Sequence, residues 1–131
     1  MAITTQTLMD KDWEVVTKST ITGTNGTALK VVDVSALEGA ATDPRVTIVA
    51  IWWTVSSVTE IEWNADSNVT AFTLNGNGNY NAGAQALPSI SNNASTGIDG
   101  DIYIENDSAC TGTVIIKMRK VSGWDNIERA A

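Results

Sequence analysis

The run from Arg45 to Val55, RVTIVAIWWTV, constrains the fold more than any other segment, because it is apolar on both sides of a strand. Successive side chains of a strand point to opposite faces. Val46, Ile48, Ala50 and Trp52 therefore fall on one face, and Val49, Ile51, Trp53 and Val55 on the other. One face enters a core. The second requires cover from a loop, an arm or another subunit. Trp52 and Trp53 must diverge, so one of them belongs outside the core, and Trp53 is the candidate for a subunit contact.

The rest of the chain repeats the period of two, and no segment of ten or more residues carries a convincing helical stripe. Asp12 to Ile21 reads as a strand with Trp13, Val15 and Ile21 inward. Asn25-Gly26 then suits a tight type I′ hairpin that returns Ala28 to Val34 antiparallel. Ser35 to Gly39 suits one helical turn with Ser35 as its cap, and Asp43-Pro44 punctuates the chain before the apolar run. Thr59 to Trp63 places Ile61 and Trp63 inward and Glu60 and Glu62 toward water. Asn68 to Leu74, Ile98 to Glu105 and Thr113 to Val121 complete the strands, and Asn75 to Gly97 reads as a long loop rich in Asn and Gly.

This pattern predicts an all-β fold, an antiparallel β-sandwich or jelly roll of about seven to eight strands. A chain of 131 residues suits one such domain. Its expected extent is 10–121, after an extended, Thr-rich N-terminal arm at 1–9 and before a tail at 122–131 that Trp124 anchors.

Charge and composition exclude several functions. A net charge of −7 with eight basic residues argues against nucleic acid, whose binding needs clustered Lys and Arg. Lys117, Arg119 and Lys120 read as the solvated side of a strand. No stretch has transmembrane length, and the start, MAITTQT, has neither part of a signal peptide, which implies synthesis in a cytoplasm and no membrane partner. Cys110, the only cysteine, precludes an intrachain disulfide and reads as a small buried residue.

The chain contains no histidine, which removes the commonest general base and the commonest zinc ligand. Glycosidases need only two carboxylates across a cleft. Glu60 and Glu62, however, lie two apart on one strand face and do not oppose each other. Asn64 to Asn68 spaces oxygens like a calcium loop but has Val69 where glycine is needed. Asp99, Asp101 and Asp107 read as turn residues. The expectation is a protein that is not an enzyme and has no cofactor and no metal.

Several stretches resemble the small β-rich virion proteins with which tailed, particularly marine, bacteriophages decorate or cement their capsids. They are the start Met1 to Leu8, Val34 to Val46, Ile61-Glu62-Trp63, Leu74 to Gly78 and Met118 to Gly123. The resemblance implies a structural protein on the outer capsid surface, made in the host bacterial cytoplasm. Its implied partners are the major capsid protein and copies of itself, with a trimer as the expected oligomer. On that reading the arm makes the contact, through Ile3, Thr4, Thr5, Gln6 and Leu8, with Trp53 and Tyr80 as further interface residues. The alternatives are a carbohydrate-binding or adhesive module, using exposed aromatics and the Asn75 to Gly97 loop, and a tail or fibre component.

Overall fold

The computed structural model describes residues 2–23, 27–81, 87–106 and 108–125. Among the described residues seven strands are formed: β1 (Ala2–Asp10), β2 (Glu14–Thr22), β3 (Leu29–Val32), β4 (Ala40–Trp63), β5 (Val69–Tyr80), β6 (Ile102–Asn106) and β7 (Gly112–Trp124). Every pairing is antiparallel, and the strands join one sheet in the order β1-β2-β7-β4-β6-β3, with β5 on the other edge of β4. The all-β, antiparallel expectation holds. The strands make a single curled sheet, a half-barrel, in which β3 swings back toward β1.

Strand β4 explains the curl. A straight strand of its 24 residues would run roughly 80 Å at about 3.3 Å per residue. The radius of gyration expected for a domain of this size is only about 14 Å. β4 must bend, and it does so at Ser56 to Val58, where its register against β5 slips from Val55 opposite Gly76 to Thr59 opposite Leu74. Before the bend its other edge pairs with β7, and after it with β6.

Thr111 and Ala109, between β6 and β7, hold the bend through Ser56 N–H to Thr111 O (3.0 Å), Thr111 N–H to Ser56 Oγ (2.8 Å) and Ser57 Oγ to Ala109 O (2.9 Å). Beneath it, buried Asn106 Nδ2 donates to buried Thr59 Oγ1 at 2.6 Å, beside buried Cys110. Gly112 is required here, because a Cβ would overlap the Thr54 carbonyl oxygen.

The core fills the concave side with Val15 and Ile21 of β2, Ile61 and Trp63 of β4, Ile102 and Ile104 of β6, and Val114, Ile116 and Met118 of β7. The two-faced run is accommodated by a bulge. Val46 and Ile48 are buried, the register against β7 slips between Ile48 and Ala50, and Ile51 and Val55 then resume on the inner side. Val49 and Ala50 are also buried, and the segment after β5 pairs along the neighbouring edge of β4. Ile90 exchanges both backbone hydrogen bonds with Ile48 (3.0 and 2.7 Å), and Asn81 Nδ2 donates to Val49 O at 3.2 Å.

Several sequence expectations differ from the structure. The two expected strands from Arg45 to Trp63 are one. β3 pairs with β6 and not with β2, because both edges of β2 are taken by β1 and β7; the Asn25-Gly26 turn lies outside the described residues. The helical turn is a short 3-10 turn over Val34–Ala36, capped by Asp33, whose carboxylate accepts from Ser35 N–H at 3.1 Å. Residues 2–9 of the expected arm, with Asp10, form end strand β1 along β2. β7 runs on to Trp124, which is fully buried and donates from Nε1 to Arg45 O at 2.8 Å; residues 126–131 lie outside the described set.

Candidate functional site

Three surface features arise from this framework. The first is the tip of the β1–β2 hairpin. Lys11 N–H bonds Glu14 O at 2.9 Å to close the turn, and Trp13 sits in that turn, before the inward alternation begins at Val15. Trp13 was expected in the core, yet it is 51% exposed. It borders a hollow with Met9, Asp10, Lys11, Asp12, Glu14 and Glu38.

Under the hollow lies Lys120. As the next inward residue after Met118 it is fully buried, against the expectation of a solvated basic cluster. Its Nζ meets Asp10 Oδ1 at 2.8 Å and Glu38 O at 2.7 Å, and stands 4.8 Å from the centroid of the Trp124 ring. The other Asp10 oxygen accepts from Glu38 N–H at 2.8 Å. A buried ammonium is tolerated only when paired and hydrogen-bonded, so this set ties the hairpin tip, the segment after the 3-10 turn and β7 together.

The second feature is a trio of carboxylates on the outer side of the bent sheet. Register places Glu105 of β6 opposite Glu60 of β4, with Glu62 two residues on, and oxygens of all three lie within 4.8 Å of one another. Glu62 was expected to face water, but it is only 7% exposed, and Asn68 Nδ2 donates to its Oε1 at 3.2 Å. Burial pushes the Glu62 carboxyl above its ordinary range; the Asn68 bond opposes that, and the charges of Glu105 and Glu60 add to it. By ligand type the trio suits a hard divalent cation, which takes carboxylate oxygens.

The third feature concerns the aromatic side chains of β4 and β5. Trp53 faces inward at the β5 side, where its ring lies over Gly78 and its Nε1 donates to Asn75 O at 3.3 Å. Phe72 stands 5.6 Å from it, ring to ring, and Tyr80 5.4 Å from Phe72. Tyr80 donates its hydroxyl to Pro88 O at 2.7 Å. Trp52 is the tryptophan on the outer face, bordered by Thr54, Asn77, Asn79, Thr113 and Ile115.

The expected interface residues therefore fall into separate groups. Ile3 faces the core and Thr5 bonds Ser19 through their hydroxyls at 2.9 Å, whereas Thr4, Gln6 and Leu8 are exposed on β1. Trp53 and Tyr80 belong together in the aromatic cluster beside β5, three strands away from β1 in the sheet order. Sequence reasoning missed Trp13, Trp52 and the pairing of Asp10 with Lys120. It also took Asn75 to Tyr80 for loop, although the strict alternation of Asn and Gly there is itself a period of two, and β5 carries it.

Comparison with protein-family models, curated proteins and solved structures finds no match to this chain.

Proposed function

We propose that this chain is a structural virion protein that binds the outer surface of a tailed-phage capsid and stabilises it, with the major capsid protein and further copies of itself as partners. The observation that carries the proposal is the β1–β2 hairpin, which holds Leu8 at 48% and Trp13 at 51% exposure beside the acidic hollow. Large apolar side chains gain nothing from water. Two on one hairpin, Trp13 framed by Asp10, Lys11, Asp12, Glu14 and Glu38 and Leu8 exposed on β1, supply apolar contact and a charged rim, as a protein interface requires.

The buried Lys120 supports the same reading, because it holds the hairpin tip in place before any partner arrives and so reduces the ordering cost of binding. In this reading the two arms of the bent sheet act as the facing layers of a β-sandwich, and the copies gather as trimers on the shell.

The test is occupancy of purified particles by a Leu8→Glu, Trp13→Ala double variant. Both side chains are exposed, so the variant keeps its fold, which circular dichroism checks. Occupancy on heads is expected to fall at least tenfold, and the heat resistance of the shell to fall with it. Unchanged occupancy, or a wild-type copy number of a few per particle located at the tail, overturns the proposal.

A further inference from the structure

We propose that the outer face of the sheet around Trp52 binds neutral hexopyranose units of a glycan. The register assembles this face. Trp52 of β4 lies between Asn79 of β5 and Ile115 of β7, and the next outward row is Thr54 between Asn77 and Thr113. Outward residues on one strand are about 6.6 Å apart and direct cross-strand neighbours about 5 Å, so these side chains form a continuous shallow groove about the size of a sugar ring or two.

The chemistry of the groove selects the ligand. A pyranose ring has an apolar face of C–H bonds and a rim of hydroxyls, and thus needs a flat apolar wall with neutral donors and acceptors beside it. Trp52 and Ile115 supply the wall. The amides of Asn77 and Asn79 and the hydroxyl of Thr113 supply the polar partners. Thr54 Oγ1 donates to Asn77 Oδ1 at 2.6 Å, which orients that amide and directs its Nδ2 hydrogens to other acceptors.

Every residue lining the groove is uncharged, in a chain with fifteen acidic residues. Among the lining residues a phosphate or a carboxylate finds no counter-charge and a cation no anion; Lys18 stands beyond the wall, opposite Ile115, and Lys117, next outward on β7, is paired with Glu14 at 3.1 Å. An uncharged polyhydroxylated ligand meets no such penalty. Specificity of this kind, a broad apolar surface with a few placed polar groups, is usual for small-molecule sites.

This inference is independent of where the protein sits in a particle, and its test uses the isolated chain. Binding is measured on an array of neutral oligosaccharides built from glucose, galactose, mannose and N-acetylglucosamine, for the wild type and for Trp52→Ala, Asn79→Ala and Trp13→Ala. The expected result is retention of at least one of these glycans, reduced about tenfold or more by Trp52→Ala and several-fold by Asn79→Ala, and unchanged by Trp13→Ala. Absence of retention, retention that survives Trp52→Ala, or equal loss with Trp13→Ala overturns the proposal. So does a Trp52-dependent interaction with capsid protein but with no glycan, which would make the face a protein contact.

Discussion

Asp10→Ala would show how much the hairpin tip depends on the charge beneath it. The substitution removes the carboxylate 2.8 Å from Lys120 Nζ and leaves the ammonium with the Glu38 carbonyl and the Trp124 ring. Breaking a buried pair by removing one partner costs about 3 to 5 kcal/mol, because the remaining charge stays buried without compensation. Asp10 retains 21% side-chain exposure, so water reaches its site when the carboxylate leaves, and about 3 kcal/mol is the expected loss.

In urea, with a slope of about 1.5 kcal/mol/M, that loss moves the unfolding midpoint down by about 2 M. The companion is Asp10→Ala with Lys120→Met, which removes both charges and keeps the long apolar stem that fills the site. Replacing both members of a buried pair by apolar groups is often neutral, so the double variant is expected to recover most of the loss. A single variant within about 0.5 kcal/mol of wild type, the range of an ordinary surface change, refutes the reasoning. So does a double variant no better than the single.

Glu62 makes stability depend on pH. Its folded-state carboxyl titrates above the ordinary 4.5 because of burial, so the folded protein holds that proton more tightly than the unfolded chain does. Stability from this group is therefore present below about pH 4.5 and is lost as pH rises through the raised folded value. Glu62→Gln is expected to flatten that fall in thermal melts between pH 4 and 8 and to raise stability at neutral pH; an unchanged slope refutes it. Gly112→Ala is expected to cost more than the 1 to 3 kcal/mol usual for overpacking, about 3 kcal/mol or more, since the added carbon meets backbone at Thr54 and Val55. Gly78→Ala presses only on the Trp53 ring, 2.6 Å away, and is expected to cost about 1 to 3 kcal/mol, with a change in tryptophan fluorescence. Equal midpoints for the two alanine variants would count against this ordering.

Strand identity was legible in the sequence because it is local. The period of two located most of β2, β4, β6 and β7, and the doubly apolar run announced that its second face would be buried as well, as Val49 and Ala50 are. Pairing was not legible, since it depends on which edges remain free. Nothing in Ala28 to Val34 says that β2 is already flanked by β1 and β7. The same limit hid the site chemistry. Glu105 lies far along the chain from Glu60, and only register brings them opposite each other. Lys120 read as surface because charge is normally solvated; its burial follows from Asp10, 110 positions away. Trp13 misled for a different reason, because its spacing matched the inward side of β2 although the strand starts one residue later.

The order of strands also bears on how the chain is made. β7, last of the seven in sequence, lies between β2 and β4 in the sheet. During synthesis β1 and β2 can close as a hairpin, and β4 with β5, but the two pieces have no common partner until residues 112–124 emerge. Completion of the sheet is thus a late event that joins distant segments, the kind of topology that folds slowly. Until then the apolar part of β4 around Trp52 and Trp53 has to be kept from other nascent chains.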